Sequence, residues 1–118
     1  MPPVKPTDHL PLPHLALHVL LALAEDDRHG WAVIRRIEEM TGGTWSPSSG
    51  SLYLAMIRLE KLGLIREAPP PAGETDTRRR YYSITEDGGL VLKEELDRLA
   101  SLVSTGRRAG LRELPSEG

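Results

Sequence analysis

The spacing of apolar residues switches from helical to strand-like just after Gly63, and no other feature limits the fold so strongly. Before that point the pattern is helical. His14 to Ala24 (HLALHVLLALA) is apolar on nearly every side, which predicts a buried helix, and the acidic turn Glu25-Asp26-Asp27 follows it. In HGWAVIRRIEEMTGG, Trp31, Ile34, Ile37 and Met40 recur at helical spacing until Gly42-Gly43 stops the run. A third helix is expected from about Ser48 to Lys61, with Gly63 as its stop. Beyond it, LIREA (64–68) and RRRYYSIT (78–85) are strand-like, and PPPAGETDT (69–77) reads as a proline-rich hairpin loop between them. Tyr81 and Tyr82 should divide between core and surface.

A last helix follows, over residues 86–106, with Thr85 able to cap it. Leu92, Leu96, Leu99 and Val103 recur there at steps of four, three and four, the narrow stripe of a coiled-coil seam. Gly88 and Gly89 should each weaken its first turn by roughly 1 kcal/mol relative to alanine. Residues 1–13 hold five of the ten prolines and read as a disordered or extended arm, and residues 107–118 as a flexible tail. The fold class is therefore mainly α with a small β-hairpin. Three helices and then a two-stranded wing make a winged helix-turn-helix domain over 14–85, with a dimerisation helix after it. In that layout the third helix enters the DNA major groove and the wing lies along the backbone or in the minor groove.

Bulk properties narrow the function. With 118 residues the chain is one domain. It has no cysteine, which excludes disulfides, thiolate metal sites and cysteine nucleophiles, and fits a reducing cytosol. No apolar run reaches the roughly 20 residues of a membrane span, and the N-terminus lacks a signal-peptide pattern, so a cytoplasmic location is expected. The net charge of −2 speaks against a nucleic-acid partner when taken alone. Charge is uneven, however: residues 28–85 carry nine Lys/Arg against six Asp/Glu, so the middle is locally basic.

On the third helix, Leu52, Ala55, Met56, Leu59 and Leu62 share one face, which should be the core face. Gly50, Leu54, Ile57 and Lys61 lie opposite, flanked by Tyr53 on one edge and Ser51 and Arg58 on the other. A helix entering a groove reads bases mainly with its first turn, where small hydroxylated residues permit close approach to phosphate. Ser48, Ser49, Ser51, Tyr53 and Arg58 are the candidate DNA contacts on this helix, although Ser48 alone could simply cap it. Outward Leu54 and Ile57 could touch thymine methyls or pack on a neighbouring helix. On the hairpin, Arg78-Arg79-Arg80 should start the second strand, with Arg78 and Arg80 on one face and Arg79 on the other. Their place beside the loop tip favours phosphate contact over a merely solvated edge.

Other chemistry is thin. His14 and His18 have a metal-compatible spacing without a third ligand, so no metal is expected. No phosphate loop or metalloprotease helix is present, Glu25-Asp26-Asp27 and Glu94-Glu95 read as solvated, and neither an enzyme nor a cofactor is expected.

The runs LLALAEDDRHGWAVIRRIEEMTGG (20–43), WSPSSGSLYLAMIRLEKLGLI (45–65) and RRRYYSITEDG (78–88) resemble PadR-family transcriptional regulators. The middle run is similar to the family pattern W-S-P-x-x-G-[ST]-L-Y-P-A-L-x-R-L-E-x-x-G-L-I, and the short C-terminus resembles the smaller PadR subfamily. That resemblance implies a cytoplasmic homodimer on palindromic operators, usually repressing, often released by a small-molecule effector. It places Ser48, Ser49, Ser51, Tyr53 and Arg58 on the recognition helix, Arg78 and Arg79 at the wing, and Leu92, Leu96, Leu99 and Val103 at the dimer contact. Leu54 departs from the family's proline and Ile57 from a common polar residue. The paired-tryptophan drug sandwich of some members is not expected, because residues 86–106 hold no aromatic residue. Trp31 and Trp45 are expected in the core, or otherwise beside an interface cavity. The competing reading is a winged-helix protein-interaction module that does not bind DNA.

Overall fold

A computed structural model describes residues 5–111. Its elements are a 3-10 turn, Pro6–His9, then α1 (His14–Glu25), β1 (Arg28–His29), α2 (Gly30–Met40), α3 (Ser49–Lys61), β2 (Ile65–Ala68), β3 (Tyr81–Ile84) and α4 (Glu86–Arg108). The strands form one antiparallel sheet in the order β1-β3-β2, pairing Arg28 with Tyr82 on one side and Ile65 with Ile84 on the other. The expected hairpin is present, and β1 adds a third strand that the sequence had assigned to a helix start.

α1 sits at the centre, packed against α2, α3, α4 and β3. Val19, Leu20, Ala22 and Leu23 meet Val33, Ile34 and Ile37 of α2, Leu52, Met56 and Leu59 of α3, Leu64 and Ile65 around β2, and Val91 and Leu92 of α4. This all-aliphatic core is what a chain without phenylalanine must build. α3 ends as its sequence predicts. Leu64 N–H donates to Leu59 O and Gly63 N–H to Glu60 O, and Gly63 adopts φ 76°, a left-handed position that glycine takes without a Cβ penalty.

Five expectations change. Of residues 1–13, read as a disordered or extended arm, residues 1–4 lie outside the described residues, and residues 5–13 form the turn and pack Leu10 and Leu12 on the core. Leu12 N–H donates to Glu95 Oε2 at 2.7 Å, and Arg98 donates to the other oxygen of the same carboxylate. Glu95 is thus buried, not solvated, and Arg98 foremost, with Leu12 assisting, holds its carboxyl below the usual value against the opposing effect of burial. Glu25 is likewise engaged: Arg36 grips it with two bonds of 2.6 and 2.8 Å, joining α1 to α2.

Gly88 is more than a weak helix former. A Cβ there would lie 2.0 Å from the carbonyl oxygen of Leu64, so its absence lets α4 start against the α3–β2 corner. Thr85 completes the joint by capping α4 at Gly88 N–H and donating to Gly63 O at 2.6 Å. Trp31, finally, is 63% exposed. Positions 31, 34, 37 and 40 each turn about 60° further round the helix, so they cannot share one face. Val33 takes the place in the core assigned to Trp31.

α4 divides in two. Val91, Leu92 and Glu95 are buried in the domain, whereas Leu96, Leu102 and Val103 are among its exposed residues. Leu92 therefore belongs to the core of its own chain. α4 runs to Arg108, into the stretch expected as a tail, and residues 112–118 of that stretch lie outside the described residues.

Candidate nucleic-acid interface

The four serines ahead of and within α3 have separate tasks. Ser46 Oγ donates to Glu38 at 2.6 Å and ties the linker to α2. Ser48 is the N-cap: its oxygen accepts from Ser51 N–H at 3.1 Å and its hydroxyl donates to Ser51 Oγ at 2.9 Å. Ser49 makes no side-chain bond to a described residue and is exposed at the helix start. Pro47, between them, is buried and pins the entry to the helix.

Tyr53 is 60% exposed on one flank of α3. With Ser49, Trp31, His29, Tyr82 and the arginines of the wing, it lines a cavity of about 410 Å³ floored by Leu52 and Met56. Four residues singled out from the sequence, Ser49, Tyr53, Arg78 and Arg79, thus converge on one concavity. Ser51 and Arg58 do not join them. They line a second cavity of about 350 Å³ on the opposite flank, against Leu12, Leu15 and Leu54. Leu54, 67% exposed, therefore faces the N-terminal end of α1, while Ile57 is half-buried.

The wing differs from its expected form. β3 begins only at Tyr81, so Arg78, Arg79 and Arg80 lie in the preceding turn and strand alternation does not govern them. Acidic groups of the loop and of β2 organise them instead. Glu74 Oε1 accepts from the Tyr81 hydroxyl at 2.7 Å and from Arg79 Nη1 at 3.2 Å, while Oε2 accepts from Thr75 N–H at 3.0 Å. The Tyr81 bond first, with Arg79 and backbone N–H adding, holds the Glu74 carboxyl down at about 2 against the opposing effect of burial. Arg79 also approaches Asp76 at 3.9 Å, so it is the anchored arginine. Arg78 touches only Asp76, at 3.3 Å, with a side chain 91% exposed, and Arg80 reaches Glu67 at 3.8 Å.

Sequence reading missed His29 and Trp31, which β1 and the start of α2 bring beside the wing. His29 Nδ1 accepts from Ala32 N–H at 3.2 Å, capping α2, and its ring meets Tyr81 edge-on at 5.2 Å. Burial, and then the Arg79 charge, push its imidazole below the ordinary value. Trp45 packs on the core beside His14 and His18, with ring centroids 4.7 and 5.1 Å away. His18 Nδ1 lies 2.7 Å from His14 O, and no cluster of three ligand-type side chains exists among the described residues.

Helices α1 to α3, the sheet and its extended wing define a winged helix-turn-helix protein. Residues 19–94 match the Transcriptional regulator PadR-like family, and the chain belongs to that family. Among its relatives, Transcriptional regulator YqjI of Escherichia coli (strain K12) is 31% identical over 85 residues, which is 72% of this chain and 39% of that protein. The chain thus spans about two fifths of that curated relative. A transcriptional regulator from Clostridium thermocellum aligns with TM-score 0.68 and 26% identity, covering 80% of this chain and 88% of that one. A PadR family transcription regulator from Clostridium difficile shares the fold with TM-score 0.71 at 20% identity, covering 81% and 97%. No helix among the described residues is long and apolar enough to cross a membrane.

Proposed function

We propose that this protein is a cytoplasmic sequence-specific DNA-binding transcriptional regulator that acts as a homodimer on a palindromic operator. One observation carries the reading: Ser49 and Tyr53 at the start of α3 share an open concave face with Arg78, Arg79 and Arg80 of the wing. A helix start presenting small hydroxyls and free N–H groups suits a groove, and arginines beside it suit the flanking phosphates. Arg78, the most exposed of the three, is the freest to turn toward DNA. Ser48 acts as the cap behind these contacts, and Ser51 and Arg58 reach the other groove wall.

The distal half of α4 supplies the dimer seam through Leu96, Leu99 and Val103, with exposed Leu102 beside them. Two copies related by a two-fold axis would set their α3 helices about 34 Å apart, one turn of DNA. The same reading takes the protein for a repressor released by a small-molecule effector, and its support is the resemblance to the family alone.

A fluorescence-anisotropy titration with the DNA upstream of the protein's own gene, at two salt concentrations, tests the reading. Wild type should bind it tightly and with strong salt dependence. Tyr53→Ala should remove most of the preference over unrelated DNA, and Arg78→Ala should weaken all sequences and lower the salt slope by about 0.9. Absence of a specific complex would favour the protein-interaction reading, for which the exposed Leu54 is the supporting observation.

A further inference from the structure

Trp31 is a large apolar side chain left 63% exposed on the same side of the molecule as the start of α3 and the wing. It stands between two cavities. One is the 410 Å³ concavity shared with Tyr53, Tyr82 and Arg78 to Arg80. The other, about 350 Å³, is lined by Arg28, His29, Arg35, Glu39 and Arg79. The indole N–H donates to no described residue, and Arg35, one turn further along α2, has no ion-pair partner among them. Arg28 and Arg36, by contrast, are both held by Glu25. Among the arginines of α2, then, the one beside Trp31 is the one left unpaired.

Resting on the DNA-binding reading above, we infer that Trp31 and Arg35 form a sequence-independent clamp on the DNA backbone beside the recognition helix. The occupant that fits is a deoxyribose-phosphate unit. Its sugar offers an apolar face to the indole and its charged oxygens suit the arginine rim, while the indole N–H supplies a neutral donor to one phosphate oxygen. Arg35 pairs with the neighbouring phosphate through the second cavity. Protein partners with acidic surfaces would meet the arginines equally well, but they give the flat indole no matching sugar face. The neutral donor and the cation predict different signatures, because only a cation releases condensed counterions from the duplex.

Wild type, Trp31→Ala, Trp31→Phe and Arg35→Gln should be titrated with the upstream duplex and with an unrelated duplex across a salt series. Trp31→Ala should weaken both complexes about tenfold without changing the salt slope, as expected for loss of about one good contact. Trp31→Phe, which keeps a ring but loses the N–H, should fall between. Arg35→Gln should weaken both complexes and reduce the slope by about 0.9. Because Trp31 is mostly exposed, its variants should keep the wild-type melting midpoint, which separates contact loss from unfolding. In a Trp45→Phe background, DNA should shield the remaining tryptophan from iodide quenching. Wild type that binds while Trp31→Ala and Arg35→Gln bind equally well overturns the clamp alone. A Trp31→Ala loss confined to the upstream duplex overturns it in favour of base reading. Wild type that binds neither duplex overturns the DNA reading and the clamp together.

Discussion

α3 and the wing face the same concavity but are held in place by different forces. α3 is fixed by apolar burial: Leu52, Met56 and Leu59 lie in the core, and Schellman-type bonds close its end. The loop of the wing, residues 69–80, buries no side chain. It is shaped by one carboxylate, Glu74, that gathers a tyrosine hydroxyl, a guanidinium and a backbone N–H. Burial is not screened by salt and depends little on pH, whereas a charge network at the surface is sensitive to both. The helix should therefore keep its place under conditions that loosen the wing.

The largest effect is expected where that contrast is attacked at the core. Leu59→Ala should cost about 2–5 kcal/mol in urea unfolding, because it leaves a cavity beneath α3. Gly88→Ala comes next. It drives a methyl against the Leu64 carbonyl at the joint of α3, β2 and α4, and should cost about 1–3 kcal/mol despite alanine's better helix propensity. Ser48→Ala removes the cap of α3 and should cost about 1 kcal/mol, read as a shift of the denaturation midpoint.

The smallest global effect belongs to the wing. Glu74→Gln should leave the melting midpoint near wild type while raising hydrogen exchange at Thr75 N–H. Because the folded carboxyl sits at about 2, below its ordinary 4.5, the network's contribution is present in full above pH 4.5 and is lost as pH falls from there toward 2. Acid titration followed by NMR should show the loop changing in that window while α3 remains intact. Simultaneous loss of both would contradict the proposed division of forces.

The sequence made the helices legible where the information was local. The apolar period, the Ser48 and Thr85 caps and the Gly63 stop each act within a few residues. β1 was not legible, since two residues acquire strand geometry only by pairing with Tyr81 and Tyr82 far along the chain. The wing arginines were expected at the start of a strand, but they precede it, with Arg78 and Arg79 held by Asp76 and Glu74 and Arg80 beside Glu67. Half of the candidate interface followed the helical wheel, with Ser49 and Tyr53 exposed on one flank. Trp31 escaped because a step of three passes for a stripe between neighbours but drifts about 60° each time, so that Trp31 and Met40 end on opposite sides of the helix. Arg58 and Leu54 share an exposed half of the wheel with Tyr53, yet the end of α1 gives them a cavity of their own.

The bond from Leu12 N–H to Glu95 spans 83 positions of sequence and fastens the proline-rich beginning of the domain to its final helix. Trimming the protein at that end, a routine choice for so proline-rich a stretch, would leave a buried carboxylate short of a donor and strip Leu10 and Leu12 from the core. The domain is closed by the stretch around Leu10 and Leu12 much as a ring is closed by a clasp. A version starting at α1 should melt earlier than the full chain, even though every helix and strand of the winged domain would still be present.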